Sequence, residues 1–341
     1  MKAAKIVRPG SVEVAEIPLP QIESDQVLLG IRALGLCGSD LATYKGLNPL
    51  VTYPRIPGHE IAAEIKEMGS EVTADLKIGD SVTVSPYSAC GKCSACRIGR
   101  VNCCQYNQTM GVQRDGAATE YIAVPYKKVF KVCGLTDEQI SLIEPLSVGW
   151  HATNRAEVSP GDIVLVFGCG VIGLGAIIAA AYKKATVIAV DIDNAKLQKA
   201  QKFGAKFTIN SERQNLPAMV SEITAGYGPH VVIEAVGLPA TFRQAVEIVC
   251  FAGRVVYVGY AGQKVEYETK LFVSKELDIK GSRNALDSEF GSVIAMLTSG
   301  AIDVTPLITG RYRLDQLGQA LGFWRQNPAD VTKILIGRGH E

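Results

Sequence analysis

The sequence predicts an α/β plus mostly-β protein: a β-rich first domain joined to a doubly wound parallel six-stranded sheet. Three observations predict it. The first 150 residues hold short strand-like runs punctuated by Pro and Gly, with no βαβ pattern among them. Residues 156 to about 300 alternate buried-strand and helix patterns. Between these stretches of different pattern, Ile163–Phe167 runs straight into Gly168-Cys169-Gly170-Val171-Ile172-Gly173, which fits G-x-G-x-x-G.

In chain order, Lys2–Val7, Val12–Ile17 and Gln26–Leu36 read as strands, separated by Pro9-Gly10 and by Pro18-Leu19-Pro20. Ile61–Met68 and Ser81–Ser85 follow, with Gly69 and Gly79-Asp80 between them, and a distorted barrel is expected. In the second part, Ile163–Phe167 is a β-branched and aromatic run of the kind buried on both faces. A helix is expected from the glycines to about Tyr182, then a strand ending on Asp191. Helices at Asn194–Phe203, Leu216–Ala225, Pro239–Cys250 and Ser288–Ser299 alternate with strands at Lys206–Ile209, Val231–Ala235, Arg254–Val258 and Leu277–Lys280. The strand-like stretches Ile308–Tyr312 and Lys333–Ile336 lie beyond the sixth strand and are expected to return to the first domain.

Composition bounds the function. The 341 residues, 47% hydrophobic and 20% charged, suffice for about two domains with a sizeable core. Lys+Arg 35 against Asp+Glu 34 leaves +1, which gives no electrostatic footprint for nucleic acid or an anionic membrane. Ile163–Tyr182 carries no charged residue, but its four glycines and β-branched first third argue against a membrane helix. Lys2 and Lys5 precede an alternating pattern rather than a signal-peptide core, so a cytoplasmic protein is expected. Nine cysteines in such a chain point to metal binding or chemistry before disulfides.

The glycine motif carries a definite chemistry. Gly168, Gly170 and Gly173 permit a tight turn, close backbone approach to a pyrophosphate and close helix–strand packing. Amides at Val171 and Ile172 open the helix toward the phosphates. Asp191 stands 18 residues beyond Gly173, where a carboxylate accepts ribose hydroxyls and repels a 2′-phosphate, so NAD is expected over NADP. Gly259, ending the fifth strand, joins the candidate cofactor contacts at the carboxyl ends of the strands.

Two cysteine features sit in the first domain. Cys90, Cys93, Cys96 and Cys104 form C-x2-C-x2-C-x7-C in a polar loop with Gly91 and Gly99. Four thiolates close a tetrahedral shell, so a zinc there would be structural. Cys103 is a bystander that could exchange with Cys104. The second feature is dispersed: Cys37-Gly38-Ser39-Asp40, Gly58-His59-Glu60 and Glu144-Pro145. A cysteine, a histidine and a carboxylate could hold a catalytic zinc with an open fourth position, although spacing alone does not establish it.

These ordered motifs, with Pro57 and Asp115-Gly116 among them, resemble the zinc-containing medium-chain dehydrogenases over nearly the whole chain. The resemblance implies a GroES-like catalytic domain, 1–155 completed by 296–341, around a Rossmann NAD-binding domain, 156–295, with the active site in the cleft between them. It implies Cys37 and His59 as catalytic zinc ligands, with Glu60 and Glu144 competing for the third place. The cysteine that liver-type enzymes carry at the later position is absent, and Gly281-Ser282-Arg283-Asn284 and Glu144-Pro145-Leu146-Ser147 resemble bacterial sugar-acid dehydrogenases. The expected reaction is hydride transfer from a secondary hydroxyl of a polyol or aldonate to NAD, zinc acting as Lewis acid. Ser39 would hydrogen-bond the alcohol and pass its proton outward. Arg114 and Arg283, with Asn284 beside the latter, are the candidates to hold a substrate carboxylate. A homodimer or homotetramer is implied. L-Threonine or a simple secondary alcohol is the alternative substrate, and an NAD-binding redox sensor without turnover the alternative of another class.

Overall fold

A computed structural model describes residues 1–73 and 75–337. Contacts divide the chain into two units, Met1–Glu144 with the segment from Leu286 onward, and Pro145–Ala285. The boundaries that the family resemblance implies are 155/156 and 295/296. Position 155 ends the helix Ile143–Arg155 and 295 lies inside the helix Asp287–Thr298, where hydrophobic periodicity marks no break. The C-terminal residues 338–341 of the expected first domain lie outside the described residues.

The first unit is organised on one long strand. β1 (Lys2–Arg8) and β2 (Ser11–Glu16) form an antiparallel hairpin. β3 (Gln26–Leu36) is buried along almost its whole length because it has neighbours on both edges. β4 (Glu60–Met68), β5 (Ser81–Val84), β6 (Tyr121–Pro125), β7 (Val129–Lys131), β14 (Ile308–Arg313) and β15 (Lys333–Gly337) join it in a seven-stranded sheet. The order is β14-β15-β3-β4-β5-β7, and β6 also pairs with β3. Val27, Leu29, Leu34, Ile61, Ile65, Ile334 and Ile336 meet in its core. The C-terminal strand β15 runs antiparallel to β3, with Ile334 opposite Leu36. A helix at Leu317–Gln326, buried through Leu317, Ala320 and Leu321, connects β14 to β15.

The second unit is the doubly wound sheet. β8 (Ile163–Phe167), β9 (Thr186–Asp191), β10 (Phe207–Asn210), β11 (Val231–Glu234), β12 (Arg254–Tyr257) and β13 (Asp278–Gly281) lie parallel in the order β10-β9-β8-β11-β12-β13. Strand order reverses between β8 and β11, and ligands of such sheets bind at the carboxyl ends beside that point. The helix Val171–Tyr182 is apolar and alanine-rich because it packs across the sheet with eight of its residues buried. Among the described residues no helix is long and apolar enough to cross a membrane.

Glycine is obligatory where this helix leaves β8. Gly168 has φ +89°, and a Cβ at Gly173 would lie 1.8 Å from the Gly168 carbonyl oxygen. Gly173→Ala should therefore destabilise the second unit by about 1–3 kcal/mol, the usual cost of overpacking. Denaturant unfolding followed by circular dichroism reads this, and an unchanged midpoint would show that the turn has slack.

Candidate active site and metal centres

Antiparallel register builds the first site. Gly35 of β3 lies opposite Glu60 of β4, so the residues just past the end of β3 meet those just before β4. Cys37 follows β3 and His59 precedes β4, which brings together side chains far apart in sequence. Donor atoms of Cys37, His59 and Glu60 all lie within 4.8 Å of one another. Cys37 caps the helix Gly38–Lys45, and Asp40 at the third position of that helix accepts from the Cys37 amide at 2.8 Å. The other oxygen of Asp40 accepts from Gly58 N at 3.1 Å. One buried carboxylate thus ties the cysteine turn to the histidine turn, a role the sequence reading did not assign.

The histidine turn is held from outside as well. Gly58 has φ +98°, and Cβ atoms added at Gly111 and Gly116 would lie 2.6 Å from Gly58 N and 2.4 Å from Gly58 O. Only glycine lets that loop press against the turn. Asp115 accepts from Ile56 N at 3.1 Å and from Arg55 at 2.9 Å, which fixes the loop from its other end.

Glu60 is fully buried and so is Lys333, whose ammonium donates to both Glu60 oxygens at 2.6 and 2.5 Å and to the Leu36 carbonyl at 3.0 Å. Glu60 on β4 reaches Lys333 on β15 past β3 because a glycine stands between them: a Cβ on Gly35 would lie 2.1 Å from Glu60 Oε2. Glu144 stands outside the 4.8 Å group but shares its electrostatics. Burial raises its pKa, against the attraction of His59, and the buried Tyr87 phenol donates to it. Sequence reasoning missed Tyr87 and Lys333. Nothing local to either residue marks it, since the partner of Tyr87 lies 57 positions away and that of Lys333 273.

The donor set fits a metal ion. His59 is 5% exposed and its Nδ1 has no hydrogen-bond partner. Burial works to lower its pKa, but Cys37, Glu144 and Asp40 outweigh it and hold the imidazole well above its ordinary value. The pocket therefore favours positive charge where a cation would sit. Ser39 is half-buried with an unpartnered buried hydroxyl.

The loop site gathers Cys90, Cys93, Cys96 and Cys104, all within 4.8 Å, without Cys103. Positive-φ turns at Gly91 and Gly99 fold it. Backbone amides of Gln105 and Cys96 bring the Cys93 thiol down to about 6, toward the thiolate that metals bind.

In the second unit, Gly170 takes an extended conformation ahead of the helix opened by Val171 and Ile172. Asp191 Oδ2 accepts from Cys169 N at 2.7 Å, and Oδ1 accepts from Ile192 N at 2.8 Å and Asp193 N at 3.0 Å. Gly259 lies against Gly237, since an added Cβ would stand 2.5 Å from Gly237 N. Arg114, half-buried in the first unit, donates to the carbonyls of Gln108 at 3.2 Å and Pro86 at 3.4 Å. Arg283 is exposed in the second unit, followed by Asn284 at φ +55°.

A seven-stranded sheet unit with two clustered donor sets and a dinucleotide-type sheet define a metal- and nicotinamide-dependent oxidoreductase. Comparison with known families names it: residues 23–134 match the alcohol dehydrogenase GroES-like domain and 171–299 the zinc-binding dehydrogenase domain. The chain belongs to the zinc-type alcohol dehydrogenase family, whose cofactors are zinc and a nicotinamide dinucleotide. It is 34% identical to L-galactonate-5-dehydrogenase of Escherichia coli K12, over 89% of this chain and 88% of that protein. Sorbitol dehydrogenase of Bacillus subtilis is 34% identical, over 98% and 97%. The NADH complex of the RspB alcohol dehydrogenase from E. coli CFT073 superposes with a TM-score of 0.92 at 30% identity, covering 99% of each chain.

Removing one partner of a buried ion pair costs about 3–5 kcal/mol, because the other charge stays buried. Lys333→Met should destabilise the first unit by that much in denaturant unfolding, and Lys333→Met with Glu60→Gln should recover most of it. Equal losses in the single and double variants would mean that packing, not charge, sets the cost.

Proposed function

We propose that this protein oxidises a secondary hydroxyl of a polyol or sugar acid to the ketone. The observation that carries the reading is the group of half-buried Cys37 with buried His59 and a buried carboxylate, an arrangement with donors for a metal and a histidine nitrogen left without a partner. Zinc bound there would supply Lewis acidity to the hydroxyl, and bound NAD would be the hydride acceptor. Cys37 and His59 would hold the metal, with Glu144 in the third place. Glu60 is the nearer acid, but both of its oxygens face the Lys333 ammonium. The Tyr87 phenol fixes the Glu144 carboxylate from one side. Ser39, whose hydroxyl has no protein partner, receives the substrate's proton and passes it outward. The four-cysteine loop holds a second, structural zinc.

Gly168, Gly170 and Gly173 bring backbone to the pyrophosphate, with Val171 and Ile172 at the helix opening. Three backbone donors on Asp191 leave about one of a carboxylate's roughly four acceptor positions for a ribose hydroxyl. The fixed negative charge there favours NAD over its 2′-phosphorylated form.

Metal analysis tests the first assignment. Wild type should carry about two zinc per chain, and Cys37→Ala about one, with turnover gone and NADH binding kept. Glu144→Gln should lower the affinity of that zinc more than Glu60→Gln does, by about 10–100-fold against a few-fold. The reverse order would make Glu60 the ligand.

The sugar-acid preference draws support from the likeness to the galactonate enzyme and from Arg114, whose guanidinium bonds the carbonyl next to Tyr87. A charge-assisted contact is worth about 1.5–3 kcal/mol, so Arg114→Ala should raise KM for an aldonate roughly tenfold or more and leave KM for an acyclic polyol nearly unchanged. Arg283→Ala is the parallel variant for the second unit. If neither variant separates the two substrate classes, the polyol reading stands alone. NADH formation across aldonates, polyols and L-threonine ranks the substrates.

A further inference from the structure

Glu234 ends β11, the strand beside β8 at the point where strand order reverses. Its side chain is fully buried. Oε1 accepts from Val236 N at 2.9 Å, Gly237 N at 2.8 Å and the Thr241 hydroxyl at 2.8 Å. The Glu234 carbonyl accepts from Val258 N at 2.9 Å and Gly259 N at 3.1 Å. One residue therefore holds the turn after β11, the first turn of the helix Pro239–Ile248 and the turn after β12.

Its second carboxylate oxygen is spent on none of this. Oε2 is buried and has no partner. It lies where Gly237 and Gly259 press together: a Cβ on Gly259 would stand 2.6 Å from Oε2 and 2.5 Å from Gly237 N. A buried acceptor without a donor costs stability, so a wish for a firmer core does not explain the acid. The turn that Glu234 pins also touches the glycine motif, since a Cβ on Gly168 would lie 2.8 Å from Val236 Cγ2. Outward from the clamp, Val236, Leu238 and Tyr260 are 43%, 56% and 82% exposed, an apolar border at the carboxyl ends of β11 and β12.

We propose that Glu234 is a positioning residue of the dinucleotide site, fixing the turns after β11 and β12 so that they receive the nicotinamide half of NAD. The inference rests on the reading of the second unit as the NAD-binding unit. Asp191 and the amides after Gly170 lie on β9 and at the head of the helix after β8, outside the hydrogen bonds that Glu234 accepts, so the adenosine and pyrophosphate contacts depend on this clamp less than the turns it bonds. Loss of the clamp then loosens one end of the ligand and spares the other.

Direct binding to the zinc-loaded protein tests this, with NADH and ADP-ribose as the two probes. Wild type should bind both. Glu234→Ala should weaken NADH about tenfold or more and leave ADP-ribose within about twofold. Glu234→Gln keeps an acceptor for the three donors and should stay close to wild type for both probes. Thr241→Val removes one donor without touching the acid, and should weaken NADH alone by a smaller factor. Parallel loss of both probes in Glu234→Ala and Thr241→Val, or no loss of either, overturns the positioning role. Wild type that binds neither probe overturns the dinucleotide reading itself, and the inference with it.

Discussion

Buried negative charge governs the first unit. Asp40, Glu60 and Glu144 sit buried beside the half-buried Cys37, and each carboxylate must meet positive charge or hydrogen-bond donors to be tolerated. Asp40 is met by two backbone amides and Glu60 by Lys333. Glu144 receives a phenol, and its pKa is still raised by burial. What remains is an imbalance of acidic groups around His59, whose pKa Cys37, Glu144 and Asp40 lift against its burial. A divalent cation answers that imbalance, so the same electrostatics that would strain an apo core select for the metal.

Much of this was legible in sequence where the signal is local. The six parallel strands, the glycine turn and the C-x2-C-x2-C-x7-C loop each declare themselves within about 30 residues. The strands came out within a residue or two of their expected ends. The first unit was less transparent. Cys37, His59 and Glu60 could be nominated from their turns, but their convergence depends on the pairing of β3 with β4. Register is set by which face is buried, and β3 is buried on both, so alternation gives no guide.

The non-local residues were invisible for the same reason. Lys333 reads as the first residue of an ordinary apolar strand until β15 is laid beside β3. Gly35 reads as a weak point in a strand until Glu60 is seen to occupy the space its side chain would need. The helix Leu317–Gln326 has six small or polar positions among its ten, which leaves it a weaker signal than the two strands it joins. Tyr87 stands between a strand and the cysteine loop, where an aromatic residue has many uses.

One device recurs through both units. Asp40, Asp115, Asp191 and Glu234 each accept backbone amides from a turn that carries function, and three of the four reach across to a second segment. Carboxylate-to-amide bonds are worth about 1.5–3 kcal/mol each, so each offsets the backbone entropy, about 1–2 kcal/mol per residue, of roughly one or two fixed loop residues. Loops are the natural place for ligand contacts but the poorest place for precision. An acid that accepts from two turns at once gives them the rigidity of a strand while leaving their glycines free to approach a ligand. On that argument these acids are the means by which the glycine turns hold their shape.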